Sequence, residues 1–453
     1  MSAQQLSRRA FLRMAGIGAT GLTLAACVAS QPGAAPVPTA AGDGGSEPDA
    51  AATEIRFATD WIEGVRGDTM ETAMGIFAEQ NPAIVVTVEP IGGDYFDRLQ
   101  IQFAGGTVAD VILFEGTLGA EYILEGLIAD LAPTLDALSI DRARWRPGVP
   151  SIFTQEGKVY AIPFQLTPGT WYYNKTLFQE KGAPLPSADW TWETVIDVAK
   201  ALTDPPNSYG LWIRGHMFQE YGAMGLANGD LHWVNDELTK TQFGEPSFAD
   251  AIRWTIEAVQ LHQVSPLPAD VQSMLTTGIS NLFATGKIGM AALNAGSVGS
   301  FRRDIGDRFE WDIMPSPLAP RTGHTGGMWN DQPHVVTSNA IQRNVVEESA
   351  RLVVFLSGDE VQEMIAEQRG STPTVKTIQE SETYLAPPPE SMALIPGELD
   401  GKEGPFFFPH FLEWFQALNK EFELGLIGER GIDETIAAMV ATGDEILAAI
   451  PRQ

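Results

Sequence analysis

Few side chains in these 453 residues are spaced to make or break covalent bonds. The chain has no Gly-x-x-x-x-Gly-Lys-Ser/Thr phosphate loop, no His-Glu-x-x-His zinc helix and no Gly-x-Ser-x-Gly nucleophile turn. Its six histidines (216, 232, 262, 324, 334 and 410) follow no metal-ligand spacing, so neither metal nor cofactor is expected. A glycosidase needs two positioned carboxylates, and nothing among the 58 acidic residues marks out a particular pair. The chain does not read as an enzyme. One group stands apart chemically: Cys27, the sole cysteine, which directly follows Leu24-Ala25-Ala26 and is placed to be acylated.

The residues before it fix an address. Ser7-Arg8-Arg9-Ala10-Phe11-Leu12-Arg13 is a twin-arginine export signature, followed by small and apolar residues from Met14 to Ala26. That run is too short for the roughly 20 apolar residues of a membrane-spanning helix. It reads as a signal peptide, residues 1–26, ending in a segment that resembles the lipobox of bacterial lipoproteins. Cleavage before Cys27 takes the formal charge from −29 to −32, because it removes three arginines and no acid. So acidic a surface repels nucleic acid and anionic headgroups, which leaves lipid on Cys27 as the expected membrane contact. With that thiol consumed, no disulfide is available. Residues 27–53 are rich in Ala, Pro, Gly and Ser, a flexible tether with a reach of roughly 25–30 Å.

Ordered structure begins at Glu54-Ile55-Arg56-Phe57-Ala58, an alternating strand. A helix is expected from Asp68, with Glu71 completing a capping box and Asn81-Pro82 ending it. A strand from Ile84 to Val88 follows, then a helix from Tyr95 to Phe103 and an apolar strand from Asp110 to Phe114. Strand, helix and strand at these intervals form βαβ units, so the fold class is α/β.

Gly157-Lys158-Val159-Tyr160-Ala161-Ile162-Pro163-Phe164, then Trp171-Tyr172-Tyr173-Asn174-Lys175, then Trp190-Thr191-Trp192-Glu193 resemble, in order, the family 1 extracellular solute-binding proteins of ABC importers. Phe77 to Pro82, Leu282 to Met290, Gly326-Gly327 and Gly370-Ser371-Thr372-Pro373 extend this likeness to maltose-binding-protein-like receptors along the mature chain. The resemblance implies a two-lobe periplasmic-binding-protein fold of class II, with a ligand cleft between lobes joined by crossover segments. The first lobe would comprise 54–165 plus 310–345, and the second 168–309 plus 346–453. It also implies a monomer that delivers a carbohydrate to an ABC permease from outside the cytoplasm. The alternatives kept open are a glycerol-phosphate, uronate or polyamine ligand and, more remotely, a polysaccharide hydrolase.

A sugar presents apolar C–H faces and a rim of hydroxyls, so its receptor needs flat aromatics beside polar side chains. Asp60 and Trp61 follow the first strand, at the carboxyl end where open α/β sheets bind ligands. Glu115 and Thr117 hold the equivalent place after the strand ending at Phe114, and Tyr95 opens the helix after the second strand. In the second lobe the candidates are Thr170, Trp212 at a strand end, and Asn294. Asn294-Ala295-Gly296-Ser297 stands where the family commonly carries Gly-x-Trp, so that stacking tryptophan is missing. Trp329, Asn330 and Asp331 would form a wall on the other side, with the ring of Trp61 partly solvated in an open cleft. Arg369 reads either as a contact for a carboxylate or phosphate or as the closure of a helix C-terminus. Trp145, Trp192, Trp254 and Trp414 are assigned to packing.

Cys27→Ser should leave the folded body intact and abolish lipid attachment. Membrane fractionation and intact mass measure both, and a variant as tightly bound as wild type contradicts the assignment.

Overall fold

Alternating and apolar runs become the strands of two sheets that share one strand, beside a separate two-stranded antiparallel pair. The computed structural model describes residues 52–93, 95–114, 119–146, 153–229, 231–279, 281–325, 328–399 and 408–450. The twin-arginine segment, Cys27, Glu115, Thr117 and the Gly326-Gly327 motif lie outside the described residues. The strands are β1 (Thr53–Thr59), β2 (Ile84–Pro90), β3 (Val111–Leu113), β4 (Thr154–Gln155), β5 (Lys158–Val159), β6 (Ile162–Asn174), β7 (Tyr209–Trp212), β8 (Ile288–Asn294), β9 (Trp311–Met314) and β10 (Trp329–Val336). In the first sheet β2, β1 and β3 run parallel, and β10 lies antiparallel between β3 and the first half of β6. In the second sheet the other half of β6 pairs antiparallel with β8 and β9, and β7 runs parallel to β8.

Helices cover both sheets with faces that the apolar spacing explains. Gly64–Gln80 buries Met70, Ala73 and Phe77 at intervals of three and four. It starts at Gly64 rather than at the expected Asp68, and no side chain caps it. Gly64 supplies the turn out of β1 with a φ of +56°, so Asp68 falls inside the helix. Trp192–Leu202 keeps its expected stripe, and the Thr191 hydroxyl accepts from Thr194 N–H.

The second-lobe assignment of 346–453 is corrected at its beginning. The Val346–Leu356 helix packs on β1, β6 and β10, and the Asp359–Gln368 helix packs on Gly64–Gln80. Leu352, Val353 and Leu356 of the first of these helices, and Val361 and Ile365 of the second, thereby share a core with Ile55, Phe57 and Phe77. Amphipathic spacing states that a helix has an apolar face, not which sheet receives it. The chain meets second-lobe elements again from Arg369, whose carbonyl accepts from Gly299 N–H at 3.1 Å, through Ala386, whose carbonyl accepts from Arg302 at 2.6 Å. The Phe411–Leu426 and Ile432–Ala448 helices pack on each other and on Pro246–Gln260.

Trp414 is completely buried at the centre of that packing. Its ring lies 5.5 Å from Phe243 and 5.6 Å from Phe408, and its indole N–H donates to the Thr241 hydroxyl at 3.0 Å. Trp414→Ala should cost roughly 3–5 kcal/mol of stability, measured by denaturant unfolding.

Candidate functional site

Where β1 ends, Trp61 N–H donates to the Thr59 hydroxyl at 3.1 Å and turns the indole inward. The ring is 1 % exposed, set edge-on to Phe164 at 4.8 Å. Phe164 touches the His334 ring at 4.2 Å, and His334 lies 5.4 Å from Phe57, so an aromatic column runs from the strand end into the core. The expected solvated wall is corrected: Phe164 and Arg66 take the surface that solvent would have wetted. The Arg66 guanidinium sits 5.4 Å over the indole, and its Nε donates to the Gly370 carbonyl at 2.9 Å. Burial raises the Asp60 carboxyl above its ordinary range, opposed by Arg66. Burial likewise lowers the Arg66 pKa, opposed by Asp60. Tyr95 is also interior; its hydroxyl lies 2.9 Å from the carbonyls of both Ala58 and Leu113, pinning β1 to β3.

On the second-lobe side, β7 ends at Trp212, which is half-buried with Arg214 5.7 Å over its ring. Arg214 donates to the Ala292 carbonyl at 3.0 Å. Fully buried Glu220 accepts the N–H groups of Arg214 (2.9 Å), Gly215 (2.7 Å) and His216 (2.9 Å), folding the segment after the strand around one carboxylate. Burial, reinforced by Arg214, drives His216 down to about 3, so its ring is neutral at ordinary pH. Asn294 closes β8 opposite Gly169. Gly299 follows in the Ser297–Ile305 helix and donates to the Arg369 carbonyl at 3.1 Å. A Cβ at Gly299 would lie 2.8 Å from that oxygen, so glycine sets how closely this helix approaches.

The start of β10 is more enclosed than expected. Trp329 is 3 % exposed and packs with Leu166 and Leu399, so the aromatic-wall reading is corrected in favour of packing. Asp331 is buried, Asn330 is half-buried, and the Asn330 carbonyl accepts from the Thr167 hydroxyl at 3.2 Å. Thr170 is buried and donates to the Pro168 carbonyl at 3.2 Å. Arg369 takes the structural alternative: it ends the Asp359–Gln368 helix at a φ of +53°. Its guanidinium donates to the carbonyls of Glu367, Thr383, Tyr384 and Ala386, which occupies both terminal nitrogens and Nε. The anion-contact reading of Arg369 is thereby replaced.

The elements brought together at the strand ends line an open cavity of about 320 Å³. Glu63, Gly64, Val65, Arg66 and Gly370 line one side; Asn294, Gly296, Ser297, Ser300 and Arg303 line the other. Of the predicted candidates among the described residues, Asn294 alone lines it, while Asp60 and Trp61 stand behind Arg66. Sequence reasoning missed Arg66 because it began the helix at Asp68 and left Arg66 in a loop. The available signal was a basic residue in the first turn after a strand's carboxyl end. Carboxylate, guanidinium, amide and hydroxyl groups face one another here, an array suited to holding a hydroxylated solute by hydrogen bonds.

The family model described as bacterial extracellular solute-binding protein matches residues 72–389. A binding protein of Brucella abortus (strain 2308) is 22% identical over 341 residues, 74% of this chain and 79% of its own length. An ABC substrate-binding protein from Listeria monocytogenes, solved in complex with cycloalternan, has a TM-score of 0.78 at 24% identity, covering 87% of this chain and 98% of that one. UgpB from Mycobacterium tuberculosis, solved with glycerophosphocholine, has a TM-score of 0.74 at 17% identity, covering 88% of this chain and 98% of that one. The likeness to these structures establishes the two-lobe periplasmic-binding-protein fold.

The aromatic column makes stability sensitive to acid. Burial holds the His334 imidazole at about 3 in the folded chain, against about 6.5 when unfolded. The unfolded chain therefore takes up a proton first, and stability that is whole above pH 6.5 is lost as pH falls toward 3. His334→Met should reduce the slope of unfolding free energy between pH 6 and 4 by up to about 1.4 kcal/mol per pH unit. Part of the slope should remain, because His216 titrates in the same direction. Denaturant melts across that range measure it, and an unchanged slope contradicts the buried neutral imidazole.

Proposed function

Because this chain belongs to the bacterial extracellular solute-binding protein family, we propose that it captures a carbohydrate, a mono- or oligosaccharide, between its two lobes and delivers it to an ABC permease. The observation carrying this reading is the cavity of about 320 Å³ whose polar lining comes from Glu63–Arg66 on one side and Asn294–Arg303 on the other. A solute bound there touches both sides at once, so its binding energy favours the approach of the lobes; closure by hinge bending is the handling expected of such receptors. The neighbour solved with cycloalternan supports a carbohydrate ligand. Fatty acylation of Cys27 and the tether of residues 27–53 would keep the body close to the permease. In this reading the protein is an exported, lipid-anchored monomer with no catalytic residue, cofactor or metal.

Thermal unfolding against a panel of sugars and polyols tests the reading. A true ligand at a hundred times its dissociation constant adds about 2.7 kcal/mol of stability and is recovered chemically unchanged. A panel with no stabilising member counts against the proposal, and a consumed sugar redirects it to a hydrolase.

A further inference from the structure

Two guanidinium groups line the cavity of a strongly acidic chain. The whole sequence carries 58 acidic and 29 basic residues, two acids for every base. The cavity is lined by two arginines, Arg66 and Arg303, and one glutamate, Glu63. Asp60 behind Arg66 and Asp304 beside Arg303 offset that charge, so what the lining offers an anion is directed N–H donors rather than a net positive field.

Arg66 is held from two sides. The indole of Trp61 supports its guanidinium at 5.4 Å, and the Gly370 carbonyl takes Nε–H at 2.9 Å. Among the described residues no carboxylate comes within 4.0 Å of it, and its terminal nitrogens have no hydrogen-bond acceptor. Nη2 is directed to the second-lobe side: a Cβ at Gly296 would meet Nη2 and Asn294 Oδ1, each at 3.1 Å. Across the cavity, Arg303 is engaged by Asp304 through Nε at 2.7 Å and Nη2 at 3.3 Å, which leaves Nη1 free. Nη1 lies against Gly64, where a Cβ would stand 2.7 Å away. Gly64 also has a positive φ of +56°, which favours glycine there. Ser297, Ser300 and Asn294 add hydroxyl and amide donors between the two arginines.

Arg66 has the Asp60 carboxylate as its electrostatic partner, but its half-buried terminal N–H groups are left without an acceptor, and a bound oxyanion would supply one. Planar nitrogen pairs match carboxylate and phosphate oxygens in particular. We infer that this cavity receives the oxyanion of an acidic polyol, a carboxylate or a phosphate ester, whose hydroxyls are held by Glu63 and the second-lobe donors. The inference rests on the reading of the cavity as the solute site, and it narrows the solute from a neutral sugar to an anionic one.

Isothermal titration of the exported, full-length mature chain with matched pairs decides it: glucuronate against glucose, and glycerol 3-phosphate against glycerol. The acidic member of at least one pair should bind roughly tenfold tighter or more, the scale of charge-assisted hydrogen bonds. Which pair responds distinguishes carboxylate from phosphate. Affinity should fall as salt rises. Arg66→Gln and Arg303→Gln should each remove most of that preference, while Arg66→Lys retains part of it. Thermal melts of all three variants verify folding, and Arg303, which is 56 % exposed, gives a variant whose fold is not at stake. Neutral sugars bound as tightly as acidic ones, with both glutamine variants unaffected, would overturn the anion inference and leave the solute reading standing. Failure of every neutral and acidic compound to bind would overturn the solute reading itself.

Discussion

One strand belongs to two sheets, and the rest of the molecule is arranged around that constraint. β6 is 13 residues long; Ile162 to Pro168 pair with β10, and Gly169 to Asn174 pair with β8 and β9. The exchange of partners occurs at Pro168-Gly169. Proline has no N–H to give to either ladder, so the change of partner there leaves no proline N–H unsatisfied. Its carbonyl is well used, accepting from Ala295 N–H at 3.0 Å and from the Thr170 hydroxyl. Gly169 N–H donates to Met328 at 2.7 Å, which draws the approach to β10 onto the same point. The strand ends that carry polar chemistry, β1 on one side and β8 on the other, are set facing one another by this shared segment.

Buried charge is handled differently in the frame and at the cavity. Asp110 is buried at the start of β3 and satisfied by Arg56 N–H, Asn339 and Arg343. Asp312 is buried at β9 and accepts from Ile313 and Ser391. Glu220 collects three backbone N–H groups. Each of these carboxylates is saturated within the fold and fixes a junction between elements. Asp60 and Arg66 are not closed off in this way: Asp60 Oδ1 is buried without a hydrogen-bond partner, and Arg66 uses one of its nitrogens. The difference separates groups that hold the structure from groups with capacity left for a solute.

Much of the framework was legible in the sequence because it depends on local periodicity. The strands near 54–58, 84–88 and 110–114, the Trp192 helix with its Thr191 cap and the packed Trp414 all follow from residue spacing and type. The α/β class follows from the same alternation. The candidate site was legible only in outline. Strand ends were the right places to look, and Asn294 was found there, but the side chains that reach the cavity were largely others.

What the sequence determined by itself is whatever is encoded within one or two turns of chain: the strands, the apolar helix faces, the acidic surface, and the position of Cys27 after small residues. Three matters were decided only by tertiary structure. Trp61 and Trp329 became core rather than cleft, because Phe164 and Arg66 close over one and Leu166 and Leu399 over the other. Arg369 became a structural clasp, because four carbonyls from two separate segments converge on its guanidinium. Arg66 became a cavity residue, because the helix starts at Gly64 and Asn294 arrives from 228 residues away. Burial and charge pairing are properties of what surrounds a side chain in space, and for these residues that surrounding comes from distant parts of the chain.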